Sequence, residues 1–303
     1  MPTALAAFGL MAFMTIPPAT PQLPDSSPSQ EGDLTGQVIL VTGSTGGLGR
    51  EVALELGTRG AHVIIHGRNE ERGNQVIEAI ESTGPGSARF YQADLASLEE
   101  VHAFGERLLE DYDRLDVLVN NAGVWTDNDD ERLMTGDGLE FQFQVNYLST
   151  FLLTHMLMPL LEASAPARIV NVASAAQRPL DFQDINMDQD YSDGRGYAQS
   201  KLAQILFTVD LAQELEGSGI LAVSLHPATM MDTGMVLSRG AEARTSVDEG
   251  REAVLHAITS PDVESGQYFN GTTPAQAHEQ AYDPAARAEL RRISRELTAD
   301  WLP

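Results

Sequence analysis

The stretch that most restricts this chain runs from Gln37 to Arg59. Val38-Ile39-Leu40-Val41 is a short apolar run without a polar interruption, as a strand buried on both faces requires. It passes directly into Thr42-Gly43-Ser44-Thr45-Gly46-Gly47-Leu48-Gly49, and a helical pattern follows from Arg50 to Arg59. A strand, a glycine turn and a helix in immediate succession leave backbone N–H groups and a helix N-terminus facing whatever lies beyond the strand. A pyrophosphate fits such a cradle. Gly43, Ser44, Thr45, Gly47, Leu48 and Gly49 are therefore candidate dinucleotide contacts. A glycine cluster alone is often only a tight turn; its place between strand and helix is what favours the dinucleotide.

The same alternation continues. Ala61–His66 reads as a second strand, Glu71–Ser82 as a helix, Arg89–Ala93 as a third strand, Leu98–Tyr112 as a helix and Val117–Val119 as a fourth strand. A long apolar helix is predicted from Leu139 to about Leu161, then strands at Arg168–Val172, Ile220–Leu225 and Gln267–Phe269, with helices at Val247–Ile258 and Pro284–Leu297. Strands alternating with helices demand a doubly wound, mostly parallel sheet. The expected fold is one α/β domain of Rossmann type over residues 34–303, with seven strands flanked by helices. In such sheets ligands bind beyond the carboxyl ends of the strands. Arg68, Asp94, Asn120-Asn121-Ala122-Gly123, Ser174 and His226-Pro227 all follow strand ends. Selectivity for NAD usually uses an acid after the second strand, whereas Arg accommodates a 2′-phosphate. Here Gly67-Arg68-Asn69 precedes the first acid, Glu70, so NADP is favoured over NAD. Asp94 either contacts the adenine or caps the helix near Ser97. Asn146, inside the long helix, is a candidate site because asparagine is a poor mid-helix residue unless its amide is used.

Composition then isolates one position. Of 19 basic residues, Lys201 is the single lysine. An ammonium is a compact point charge and a guanidinium a planar fork, so a lysine kept where arginine is otherwise universal suggests chemistry that arginine cannot do. Tyr197 lies four residues earlier and shares its helix face. A nearby positive charge favours a phenolate. Bringing a phenol from about 10 to about 7 takes about 4 kcal/mol of differential stabilisation, which defines a general acid/base. In isolation the pair reads more readily as a surface tyrosine and a solvated lysine on a helix, and other signals have to decide.

A net charge of -25 disfavours nucleic acid and anionic membranes as partners and leaves a small-molecule substrate. It also resembles a protein adapted to high salt, although a GC-rich genome would trade lysine for arginine as well. With no cysteine, thiolate catalysis, disulfides and cysteine-ligated metals are excluded, and no metal site is expected; a reducing cytoplasm is the expected compartment. Residues 1–33 stand apart: Ala4–Ile16 is apolar and five prolines follow between Pro17 and Pro28. The apolar run lacks the basic start of a signal peptide and is too short to span a bilayer, so a disordered extension or an early start codon is expected.

Taken together, Thr42-Gly43-x-x-x-Gly47-x-Gly49, Asn120-Asn121-Ala122-Gly123, Asn146, Ser174 and Tyr197-x-x-x-Lys201 resemble the short-chain dehydrogenase/reductase superfamily over residues 34–270. The run Ala198–Thr208 and the long polar segment before Tyr197 are similar to its retinol-dehydrogenase-like branch. The resemblance implies an NAD(P)-dependent alcohol dehydrogenase or carbonyl reductase. In it Tyr197 is the acid/base, Lys201 lowers the phenol's pKa and bonds the nicotinamide ribose, Ser174 holds the carbonyl oxygen and Asn146 anchors a relay water. Asn121, Ala122 and Gly123 would line the adenosine side, while Pro227 and Thr229 would approach the nicotinamide. Ala228 departs from the glycine usual after that proline, and Thr233 is an alternative to Thr229. Leu180, Phe182 and the methionines after Pro227 point to an apolar substrate pocket under a polar lid. A catalytically silent dinucleotide sensor or scaffold is the alternative reading, and a homodimer through the long helices is open.

Overall fold

In the computed structural model β1 (Val38–Val41) lies at the middle of the sheet, and the chain winds outward from it in both directions. The structure describes Met1 and residues 32–127 and 130–302. Apart from Met1, Gly32 and Asp33, the expected N-terminal extension lies outside the described residues. The strand order is β3-β2-β1-β4-β5-β6-β7-β8. Here β2 is His62–Gly67, β3 Ser87–Gln92, β4 Val117–Asn120, β5 Ala167–Val172, β6 Ile220–His226, β7 Tyr268–Asn270 and β8 Thr273–Ala275. Every pairing is parallel except β7 with β8.

The sheet therefore has eight strands where seven were expected. Asn270 and Thr273 pair across the two-residue turn Gly271-Thr272, begun by Gly271 at φ 62°, and glycine at the first turn position is the hairpin chemistry of a Gly-X sequence. Three residues including Pro274 carry too little strand signal to be read in advance, and an edge is where a sheet tolerates proline.

Alternate residues of each central strand enter two different cores, which explains their unbroken apolar runs. Leu40, Leu118, Ile169 and Ala222 pack on one face against α3 (Leu98–Asp111), α5 (Ser149–Met156), α7 (Asp193–Glu214) and α10 (Pro284–Leu297). Ile39, Val41, Val119, Val170 and Val223 pack on the other face against α1 (Gly47–Thr58), α2 (Glu70–Thr83) and α9 (Val247–Thr259).

The helix predicted over 139–161 is broken into pieces. α4 (Phe141–Phe143) leads into a π-helical turn, Gln144–Leu148, then α5 and α6 (Met158–Ala163). Asn146 sits at the centre of the π turn. Extra residues in a helical turn re-aim a side chain, and such turns recur at functional sites. A last short helix, α8 (Gly234–Leu237), lies in the segment after β6.

Candidate active site

The carboxyl ends of β1 to β6 open into one cavity of about 700 Å³. At its first end the glycine turn is held by its neighbours. Gly43 has φ 66°, and a Cβ there would lie 2.9 Å from the Ala122 Cα. The Gly43 N–H donates to His66 Nδ1 (3.1 Å), and the Thr42 hydroxyl accepts from both Asn121 and Ala122 N–H (3.0 Å each). Asn121 Nδ2 donates to the Thr42 carbonyl at 2.9 Å. Gly49 allows α1 to come close: a Cβ there would lie 2.4 Å from Asn121 Nδ2 and 2.5 Å from the Gly43 oxygen.

The α1 N-terminus itself has no capping side chain and no acid in its first turn, since Gly46 occupies the cap position. By contrast α2, α3, α7, α9 and α10 are capped by Asn69, Ser97, Ser192, Ser246 and Asp283. A helix start with unsatisfied N–H groups at a glycine cradle fits an anionic pyrophosphate. The residues present thus suit a dinucleotide.

Thr45, Gly47, Leu48, Gly49, Arg68, Asp94, Asn121, Ala122, Gly123, Pro227 and Thr229 all line the cavity, as do His66, Arg72 and Thr233. Ser44 does not. Its buried hydroxyl donates to the Val41 carbonyl (2.7 Å) and accepts from His66 N–H (3.0 Å), so the side chain is a tie between β1 and β2. Asp94 accepts from Ala96 N–H (3.0 Å) while Ser97 caps α3, so the capping alternative belongs to Ser97. The Arg68 guanidinium is exposed and lies 3.8 Å from the Asp94 carboxylate. The Thr229 hydroxyl is bonded to His226 Nε2 (2.9 Å), whereas the Thr233 side chain faces Gly47. Asn120 is a strand tie: its Nδ2 donates to Asn171 Oδ1 (2.9 Å) and Thr154 Oγ1 (3.1 Å).

The far end gathers Ser174, Tyr197 and Lys201 on the cavity wall. The Lys201 Nζ lies 5.8 Å from the centre of the Tyr197 ring and donates to the Val172 carbonyl (2.9 Å) and Gln204 Oε1 (2.8 Å). Burial draws this ammonium down to about 7. The phenol of Tyr197 is pushed up by burial and pulled back by a hydrogen bond with Ser174. That differs from the expected lysine-driven lowering. In the protein alone the dominant influence on both groups is loss of water, which disfavours each charged form.

Asn146 braces this end. Its Oδ1 accepts from Val124 N–H (2.7 Å), and its Nδ2 donates to the Val124 carbonyl (3.0 Å) and Ser200 Oγ (2.9 Å). Lys201 Nζ and Asn146 Oδ1 both come close to Gly123, where a Cβ would lie 3.2 and 3.3 Å from them. Leu180 and Phe182 lie elsewhere, around a shallow pocket with Arg178 and Arg195; Leu180 is buried in the core. The apolar residues lining the cavity are instead Val124, Trp125, Phe141, Val145, Met230, Met235 and Val236, with Met231 at the cradle end against Leu48 and α9. Trp125 stands between the Tyr197 ring (5.4 Å) and the Arg239 guanidinium (3.9 Å), and Arg239 also donates to the Thr126 carbonyl. Sequence reading missed His66, Arg72, Trp125, Gln204 and Arg239. Only Arg72, four residues after Arg68 in the first turn of α2, had a local signal.

A doubly wound sheet, a glycine cradle under an uncapped helix and a half-buried tyrosine beside a buried serine and lysine at the reacting end define a dinucleotide-dependent oxidoreductase. Residues 37–244 match the family model for short chain dehydrogenases, and the chain belongs to that family, within its retinol-dehydrogenase-like branch. It is 37% identical to mouse retinol dehydrogenase 14 over 87% of this chain and 86% of the relative. It is 32% identical to human retinol dehydrogenase 11 over 98% and 96%. Among solved structures, an uncharacterised protein from Mycobacterium paratuberculosis superposes with a TM-score of 0.73 at 29% identity, covering 89% of this chain and 96% of the other. A Shigella flexneri protein described as a short chain dehydrogenase and solved with NADP gives 0.67 at 26%, covering 80% and 99%. The protein is thus an NAD(P)-dependent short-chain oxidoreductase. Among the described residues no helix is long and apolar enough to cross a membrane.

Proposed function

We propose that the protein interconverts an apolar alcohol and its carbonyl, using NADP in preference to NAD, with Tyr197 as the general acid/base. The observation that carries the reading is the meeting of Tyr197, Ser174 and Lys201, from two elements, on one wall of the cavity whose other end is the glycine cradle. The dinucleotide, when bound, supplies or accepts the hydride. In the reducing direction the Tyr197 hydroxyl hands its proton to the substrate oxygen, and Ser174 holds that oxygen by hydrogen bonding. Lys201 presents positive charge beside the phenol, which favours the phenolate as it forms. Asn146 fixes Val124 and Ser200 around the lysine.

Cofactor preference is supported by Arg68 and Arg72 at the adenosine end and by relatives solved with NADP or NADPH. The substrate class is supported by the apolar lining that includes Trp125, Met230 and Met235. Because the curated relatives include retinol dehydrogenases, retinoids and long-chain aldehydes are the first compounds to screen. The test is fluorescence titration with NADPH and NADH in low and molar salt, followed by turnover of those carbonyls. NADPH binding more tightly than NADH, with turnover of apolar carbonyls, is expected. Equal affinity would remove the NADP preference, and turnover confined to polar carbonyls would remove the substrate class.

A further inference from the structure

Lys201 is 3% exposed and has no charged partner among the described residues. Its two acceptors are both neutral: the Val172 carbonyl at the end of β5 and Gln204 Oε1, one turn further along α7. Gln204 is fully buried, and its main-chain carbonyl accepts from the Thr208 hydroxyl, which in turn accepts from Asn171 Nδ2. This locks Gln204 to the sheet through a buried polar chain.

The amide orientation is informative. With Oε1 on the ammonium, Nε2 has no protein partner among the described residues. A buried amide N–H without a partner is destabilising, so a residue that only filled space between helix and sheet would be apolar here. Turning the amide over would set NH2 against NH3⁺. The lysine dictates the orientation.

We propose that Gln204 is a positioning residue of the reaction: with the Val172 carbonyl it takes two of the three Lys201 N–H groups and aims the third into the cavity, at the dinucleotide and Tyr197. The proposal rests on the oxidoreductase reading above and deepens it. Gly123 keeps the approach clear, because a Cβ there would lie 3.2 Å from Nζ. A neutral acceptor also leaves the lysine without a counter-charge. The groups facing Nζ are Tyr197 from α7 itself, the Val172 carbonyl from β5 and Gly123 from the loop after β4, with the Asn146 amide against the same glycine. Burial then draws the ammonium down to about 7. A carboxylate at position 204 would hold the charge to higher pH.

The experiment exploits the lone lysine. Protein labelled with 13C or 15N at the lysine side chain gives one Nζ-linked resonance, which is titrated without dinucleotide in the parent protein, Gln204→Glu and Gln204→Met. The parent midpoint is expected near 7. Gln204→Glu should raise it by about one pH unit or more, and the basic limb of kcat/KM for NADPH-driven reduction should move the same way. Gln204→Met should lower kcat roughly 10-fold with a smaller change in KM. A Glu variant that folds and binds NADPH but leaves both midpoint and limb unmoved overturns the proposal. If the Met variant does not fold, the near-isosteric Glu variant still decides. Failure of the underlying reading looks different: Tyr197→Phe would then retain turnover, while the lysine resonance would still report the Gln204 bond.

Discussion

The two ends of the cavity solve opposite problems. The dinucleotide end works through what it lacks. Gly46 gives α1 no cap and no Cβ, Gly43 and Gly49 remove side chains that would collide with Ala122 and Asn121, and backbone N–H groups are left facing the cavity. The catalytic end works through what it buries. Burial disfavours the charged forms of Tyr197 and Lys201, and among the described residues Lys201 has neutral partners only. An anion needs exposed dipoles, and glycine provides them without occupying space. Proton transfer needs groups whose charge is easily given up, and burial provides that. Substitutions at the catalytic end should therefore act on turnover, and those at the cradle on dinucleotide affinity.

The largest effect expected is that of Tyr197→Phe. It should lower kcat by at least about 10³-fold while NADPH affinity, read by cofactor fluorescence, stays within a few-fold. Retained turnover would remove the acid/base role. Lys201→Arg should come next, with about a 10²-fold loss of kcat, because a guanidinium cannot fit between the Val172 carbonyl and Gln204 Oε1 at 2.9 and 2.8 Å. Near-normal rates in the arginine variant would mean that only charge is needed there, and the contrast between the two ends would weaken.

How much of this was legible depends on how local each feature is. The strand, glycine turn and α1 are contiguous, and Tyr197 and Lys201 are one helical turn apart, so sequence spacing alone placed them. Asn146 was legible as an anomaly, although the π turn that aims it was not. The rest required the fold. His66 reaches Gly43 across 23 positions, and Arg239 reaches Thr126 across 113. The tie made by Ser44 could not be told from a ligand contact, because the same glycine-turn position serves either purpose. Leu180 and Phe182 have the right chemistry for a substrate wall, but the turn after β5 carries them to a different pocket.

A test at the cradle end concerns His66. Burial draws its imidazole down to about 4, so near neutrality it is uncharged and its Nδ1 accepts the Gly43 N–H. Between about 6.5 and about 4 the unfolded chain binds a proton that the folded protein refuses. Stability conferred by this group is therefore present above the unfolded value and is lost as pH falls through that window, by about 3 kcal/mol in total. Urea unfolding of His66→Asn should show a shallower acid slope than the parent. Matching slopes would mean that other groups govern acid stability.

The smallest effect belongs to Arg68, an exposed side chain among the residues assigned to the cofactor. Its side chain is 68% exposed and already lies 3.8 Å from Asp94, so a 2′-phosphate would have to compete with a resident carboxylate. Exposed ion pairs contribute about 1 kcal/mol or less, which predicts only about a fivefold loss of NADPH affinity in Arg68→Ala and none for NADH. Asp94→Asn should do the reverse by releasing the arginine. In molar salt the screening length falls to about 3 Å, so both differences should narrow together, while the loss in Tyr197→Phe, a half-buried group on the cavity wall, should not change. Equal weakening of both cofactors by Arg68→Ala would instead assign the residue to the loop itself, where Gln92 Nε2 donates to the Arg68 carbonyl at 3.0 Å. Arg72 would then be the remaining cationic side chain on the cavity wall near the adenosine end to carry the preference.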